Sequence, residues 1–315
     1  MTRTWPRWVT RIVAVVAVAG PAWVLATAWS PVVHGSPLYP GLLGLTALLG
    51  LAMLVWSWRR PMSDDGPRGW RLALRLVGYV ATLAWVAFLV WLTPFGATEP
   101  SLSAMDGTDT VTVEETATQI TLSRVDSTTV DGTGVLFQPG ARVDARAYVA
   151  ELTPLAEAGY PVVIIKQPLG IAFTALSRWP DPLREPYVAQ WVVAGHSLGG
   201  TVAAMQADDH DGDDLGGTAG LILLGSYPAD DISESLTVPV LSISASEDGL
   251  STPDKIEASR ADLPEDTVFT VIEGASHASF GDYGVQPGDG TPTLGDDEAR
   301  AQISTAMLDF LATLP

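Results

Sequence analysis

Five consecutive residues, Gly195-His196-Ser197-Leu198-Gly199, have the form G-x-S-x-G. They lie between a short apolar run, Trp191–Ala194, and a stretch from Leu198 to Ala207 that reads as a helix. A serine on a sharp strand-to-helix turn has its Oγ pushed out above the strand ends, ready for nucleophilic attack. Glycines two before and two after it let backbone pack where a Cβ would clash. Such a serine needs a base, and the chain has four histidines. His34 lies between two apolar runs, His196 belongs to the turn, and His210 sits in the acidic stretch Asp208–Asp214. His277, just past the β-rich run Val268–Ile272, is left as the base. The acid that orients it is sought on the loop after Val238–Ile243, Ser246-Glu247-Asp248-Gly249. Asp248, with Gly249 to permit the turn, is preferred over Glu247 and over Asp254, whose carboxylate complements a helix start. An oxyanion needs two convergent backbone N–H groups. Leu198, after the serine, supplies one, and the turn Gln138-Pro139-Gly140-Ala141 supplies the other. Pro139 has no N–H, so Ala141 or Gly140 must donate, with Ala141 preferred.

The remaining chemistry is narrower. Without cysteine the chain forms no disulfide, no thiolate nucleophile and no cysteine-ligated zinc site. Asp208–Asp214 alternates acids as calcium loops do, but lacks the bidentate glutamate at the twelfth position and reads as a solvated loop. A serine mechanism needs no metal and no organic cofactor.

The elements that must position these groups alternate from residue 111 onward. Strands are expected at Val111–Glu115, Gln119–Val125, Thr133–Phe137, Pro161–Ile165, Trp191–Ala194, Leu221–Leu224, Val238–Ile243 and Val268–Ile272. Helical stretches are expected near Val143–Ala158, Ala172–Trp179, Leu198–Ala207, Pro253–Leu263 and 298–313. The alternation argues for an α/β fold, a mostly parallel sheet covered by helices on both faces.

The first 95 residues belong to a different kind of chain. They hold 8 Arg, no Lys, two acids and nine of the 11 Trp, while the other 220 carry 9 basic and 34 acidic residues. The formal charges are therefore +6 and −25. Three runs, Ile12–Trp29, Leu38–Trp58 and Leu76–Phe95, have no charged residue. At ~1.5 Å rise per residue each can cross, or nearly cross, a hydrocarbon core of ~30 Å, and no polar stripe marks them as amphipathic. Three transmembrane helices (about 12–29, 38–58 and 76–95) are thus expected, with 96–110 as a flexible tether to a domain over 111–315. Arg3, Arg7 and Arg11 flank the first run and Arg59, Arg60, Arg68 and Arg71 lie between the second and third. Positive-inside then puts the acidic domain outside the cytoplasmic membrane. Ala26-Thr27-Ala28 resembles a signal-peptide cleavage site, and cleavage there would leave two spans with the same orientation. A module at −25 repels phosphates, so no nucleic acid is expected as a partner, while the N-terminal helices make the lipid bilayer one.

The stretch from about 111 to 315 resembles the α/β-hydrolase superfamily. It is similar to a group of bacterial hydrolases, distantly like dienelactone hydrolases, that often carry N-terminal membrane segments. The resemblance rests on Phe137-Gln138-Pro139-Gly140-Ala141, on Gly195 to Gly200, and on Asp248-Gly249-Leu250 with Thr252-Pro253. It rests also on His277 with Phe280-Gly281-Asp282-Tyr283-Gly284, and on Gln286-Pro287-Gly288-Asp289-Gly290. It implies a hydrolase with Ser197, Asp248 and His277 as a triad, acting on small-molecule esters or related acyl compounds. Two departures stand out. Dienelactone hydrolases use a cysteine, and many esterases have His-Gly where this chain has Pro139-Gly140. A non-catalytic hydrolase-fold binding module and an acyltransferase with the same triad are the rival readings.

Overall fold

The computed structural model describes residues 7–59, 69–126, 128–180, 187–213 and 216–314. The chain divides into two compact units: Met1–Val33 with Pro37–Pro94, and Phe95–Pro315 with His34–Ser36. In the first unit, α1 (Arg7–Thr27), α3 (Leu38–Arg59) and α4 (Trp70–Trp91) are each long and apolar enough to cross a membrane. A short helix, α2 (Trp29–His34), follows α1. Polar side chains find partners within the unit: Tyr39 donates to the carbonyl of Leu89 at 2.6 Å, and Trp85 Nε1 donates to Thr46 Oγ1 at 2.9 Å.

The third span differs from its expected limits, running 70–91 and not 76–95. Arg71 and Arg75 are good helix formers and extend it at the front. Pro94 disfavours helical backbone at Thr93 and ends it early. The first helix likewise starts at Arg7 and ends at Thr27. Arg3, Arg60 and Arg68 of the charge argument lie outside the described residues.

The second unit is built on an eight-stranded sheet in the order β1-β2-β4-β3-β5-β6-β7-β8. These are β1 (Val111–Glu115), β2 (Gln119–Arg124), β3 (Thr133–Gln138), β4 (Val162–Ile165), β5 (Gln190–His196), β6 (Thr218–Leu224), β7 (Val240–Ala245) and β8 (Val268–Ile272). The pairs β1/β2 and β2/β4 are antiparallel and all others are parallel. The four strands β3, β4, β5 and β6 are buried along their whole length except Gln190, which is why they read as unbroken apolar runs. One face packs against α6 (Val149–Glu157) and α9 (Asp296–Leu311) through Tyr148, Leu152, Ile303 and Met307. The other packs against α7 (Leu198–Asp209) through Trp191, Ala203 and Ala207. The chain is an α/β protein of the expected class.

Local differences have local causes. The helix expected over Val143–Ala158 opens as a 3-10 turn, Ala145–Tyr148, because Asp144 caps it by accepting from Arg146 N. Around Ala172–Trp179 only a 3-10 turn, Ala172–Ala175, forms. The stretch expected as a tether is folded into the second unit. Phe95 N donates to Arg142 O at 2.7 Å and Asp144 N to Phe95 O at 2.9 Å. A four-residue helix, α5 (Ser101–Ala104), follows, with Ser101 fully buried and its Oγ 2.7 Å from Asp282 Oδ2. Phe95, Ala97, Ala104 and Met105 pack on the core. Scattered at uneven spacing, these apolar residues make no periodic pattern, so the segment reads as polar linker in sequence.

Candidate active site

The parallel strands deliver every candidate residue to one edge, the C-terminal ends of β3, β5, β7 and β8. Register does this: Gln138 pairs with Gly195, and Ala245 pairs with Ile272. Ser197 directly follows β5, Asp248 lies three residues past β7 and His277 five past β8. Crevices beyond the carboxyl ends of strands are where open α/β sheets hold ligands.

Ser197 sits at the elbow with φ 54° and ψ −127°, a backbone state that costs a non-glycine residue about 1–3 kcal/mol. The surroundings hold it there. Ser197 N donates to Leu224 O at 3.0 Å, and Ser226 Oγ donates to Ser197 O at 2.6 Å. Gly199 has a second role: a Cβ there would overlap the carbonyl oxygens of Gln138 and Pro139. Only glycine lets the Gln138–Ala141 turn lie directly on the start of α7.

His277 and Asp248 meet across two loops. His277 Nδ1 is 2.7 Å from Asp248 Oδ2, and both side chains are fully buried. Asp248 Oδ1 accepts from Leu250 N at 2.8 Å and Ser251 N at 2.7 Å, so the carboxylate is fixed at both oxygens. With Nδ1 engaged, the free ring nitrogen of His277 is Nε2, buried and without a partner among the described residues. The Glu247 side chain is exposed and, among the described residues, makes only a 3.5 Å hydrogen bond, with Ser246 Oγ, and Asp254 is exposed in the first turn of α8 (Pro253–Ala258). Neither competes for the imidazole.

The two donors weighed for the oxyanion turn separate clearly. Gly140 N donates to Tyr148 Oη at 2.9 Å. Ala141 N and Leu198 N have no acceptor among the described residues. Tyr148 Oη also lies 2.9 Å from His196 Nδ1. Because the oxygen accepts from Gly140, its own proton goes to His196, whose Nδ1 therefore accepts. Burial, with the neighbouring His277, holds His196 well below the usual histidine range, so the ring is neutral. Burial likewise raises the Tyr148 hydroxyl above its ordinary range and keeps it protonated.

Three buried glutamines brace the same turn from behind. Gln167 Nε2 donates to Pro139 O at 2.9 Å and to Gln138 Oε1 at 3.1 Å. Gln138 Nε2 donates to Gln206 Oε1 on α7 at 2.9 Å. Sequence reading finds neither this chain nor Tyr148. Glutamine and tyrosine carry no motif, and apart from Gly140, eight residues from Tyr148, the partners named here lie 28 to 68 residues away.

The acidic stretch is a hydrogen-bonded corner where described. His210 Nδ1 is 2.8 Å from Asp213 Oδ2 and its ring stacks on Trp179, while Asp211 Oδ2 accepts from Thr237 N at 2.6 Å. Asp214 lies outside the described residues.

The family described as the alpha/beta hydrolase family matches residues 134–301, just over half of the chain and all of the site's elements from β3 to the closing helix. This chain belongs to the alpha/beta hydrolase family. No curated protein matches it. Among solved structures it is similar to a thermostable esterase from Pseudomonas putida ECU1011, at 16% identity over 66% of this chain and 84% of that one, with a TM-score of 0.47. It is similar also to esterases from Rhizomucor miehei, at 16% identity over 68% and 87%, TM-score 0.46. A CIB-like hydrolase from Thermoplasma acidophilum aligns at 15% identity over 64% and 98%, TM-score 0.46. Ahead of the matched region in sequence, this chain carries three helices long and apolar enough to cross a membrane.

Proposed function

We propose that this alpha/beta hydrolase is a membrane-anchored serine hydrolase that cleaves carboxylic esters or related acyl compounds outside the cytoplasmic membrane. The observation that carries the reading is the buried Asp248–His277 pair, whose imidazole lies 4.6 Å (ring centroids) from that of His196, the residue directly before an elbow serine with positive φ. Ser197 Oγ attacks the acyl carbon as its proton passes to Nε2 of His277. Asp248 keeps the imidazole in the Nδ1–H tautomer and stabilises the imidazolium without taking the proton. The N–H groups of Leu198 and Ala141 hold the oxyanion. Collapse of the tetrahedral species breaks the ester C–O bond, and the leaving alcohol takes the proton from His277. Water, deprotonated by the same Nε2, then resolves the acyl-enzyme and restores Ser197. The three apolar helices serve as the anchor, and the arginine asymmetry supports an extracytoplasmic domain.

Labelling of the purified full-length protein by a fluorophosphonate tests the reading. Wild type is expected to label and Ser197→Ala to remain unlabelled. A chain that stays unlabelled in both forms, or labels equally in both, overturns it.

A further inference from the structure

We propose that Asp289 is a positioning residue for the proposed triad, a strut that sets the separation of the acid and the base. The proposal rests on the serine-hydrolase reading above and adds a residue to it. Asp289 lies 12 residues beyond His277, on the long loop between β8 and α9. Its side chain reaches back to both catalytic loops at once. Oδ1 accepts from Gly249 N at 3.1 Å, from His277 N at 3.1 Å and from Gly290 N at 2.7 Å. Oδ2 accepts from Ala278 N at 2.8 Å. Gly249 is covalently next to Asp248, so one carboxylate grips the backbone beside the acid and the backbone of the base itself.

The charge state suits this task. Partial burial alone would raise the Asp289 pKa, but the donors from Ala278, Gly249, Ser276 and His277 outweigh it and hold the group below the usual carboxylate range. The carboxylate is therefore ionised near neutral pH, and charge-assisted bonds to N–H are the strong kind. The backbone fit is equally close. A Cβ on Gly249 would come within 2.7 Å of Gly288 O and Gly290 N, so residues 288–290 are seated directly against the acid loop. Besides the Asp248–His277 pair, two further bonds join the loops, Glu247 N to Ala275 O at 2.9 Å and Gly274 N to Ser246 Oγ at 2.8 Å. Both lie upstream of the triad residues. The Asp289 bonds act at the backbone N–H groups of Gly249 and His277 themselves.

A strut of this kind works through geometry. Displacing a reacting group by ~1 Å costs up to ~10²-fold in turnover. Asp289→Asn keeps the shape but turns one acceptor into a donor, and is expected to lower kcat for nitrophenyl acetate by ~10-fold with KM unchanged. Asp289→Ala is expected to approach ~100-fold. Gly249→Ala leaves both carboxylates in place but forces the loops apart, and is expected to show the same loss in kcat alone.

A double-mutant cycle on the full-length protein separates positioning from bulk stability. Once Asp248 is Asn the strut has nothing to position, so adding Asp289→Asn is expected to cost less than threefold more in the rate of fluorophosphonate labelling. Unchanged kcat in Asp289→Asn, or a loss that multiplies fully in the Asp248→Asn background, overturns the proposal. So does a change confined to KM. Asp289→Asn and Gly249→Ala carry the test if Asp289→Ala does not fold. Labelling of wild type but not of Ser197→Ala, run alongside, keeps the two questions apart. If that control holds and the strut variants are fully active, the strut fails and the serine-hydrolase reading stands.

Discussion

His277 Nδ1 lies 2.7 Å from Asp248 Oδ2, while the neighbouring Glu247 side chain faces solvent. One residue along the loop thus separates a fully buried partner of the imidazole from an exposed acid. The backbone N–H groups of Leu250 and Ser251 take the other Asp248 oxygen, so the carboxylate cannot rotate away without losing two more bonds.

Asp248→Asn is therefore expected to lower ester turnover by ~10⁴, the loss associated with presenting the wrong tautomer to a serine. Glu247→Gln should stay within about tenfold. Steady-state kinetics on the two variants decide it. Equal losses, or the larger loss at Glu247, would move the acid by one position.

Ser197→Ala and His277→Ala should each reduce turnover by several orders of magnitude, up to ~10⁶, and combining them should add little because the two act as a unit. Circular dichroism should show the fold retained. Substantial turnover by clean Ser197→Ala would sink the triad.

Tyr148→Phe removes one hydroxyl and leaves two buried groups, Gly140 N–H and His196 Nδ1, without a partner. A cost of about 1–3 kcal/mol in stability is expected. The freed Gly140 N–H is also released to compete with Ala141 for the oxyanion, so kcat should fall while KM holds. Thermal melting together with kcat and KM gives both readings; a melting temperature equal to wild type would show that Tyr148 does not brace the turn.

How much of this was visible beforehand depended on the range of the interaction. The elbow is five residues long and declares itself. His277 emerges by elimination among four histidines, and Asp248 by its place after a strand. Tyr148, the glutamine chain and the folding-in of residues 95–105 escape because each depends on partners tens of residues distant. The sheet was legible because β3, β4, β5 and β6 are buried on both faces and read as apolar runs. Short stretches that form a single 3-10 turn, such as Ala172–Ala175, have no period long enough to read.

Glu151 offers a pH test independent of catalysis. Its side chain is buried on α6, and burial first, then Asp282, raise its pKa well above the usual value, with Arg300 opposing. The folded state therefore keeps a proton that the unfolded state releases above about pH 4.5. Stability is full below that pH and falls as pH rises toward the folded pKa, by up to about 1.4 kcal/mol per pH unit from this group. Glu151→Gln removes the dependence. Melting temperatures of wild type and variant should diverge from pH 5 to pH 8, the variant gaining; parallel curves would refute the buried protonated acid.

Acyl-chain preference follows from how little covers the site. Lids in this fold are commonly inserted after the strand that follows the elbow helix, here β6. Residues 225–239, between β6 and β7, contain no helix. The connection from β4 to β5 has only the 3-10 turns Pro168–Gly170 and Ala172–Ala175 among its described residues. The loop after His277 forms a rim pinned by Asp289, and its one large apolar tip, Val285, is 90% exposed. A long acyl chain therefore finds little surface to bury, and each CH₂ contributes ~0.8 kcal/mol only where it is buried. Full-length protein in lipid nanodiscs should turn over nitrophenyl acetate and butyrate faster than palmitate, with no jump in rate above the substrate's micellar threshold. A strong palmitate preference, or such a jump, would place an apolar cover over Ser197 and contradict the open site.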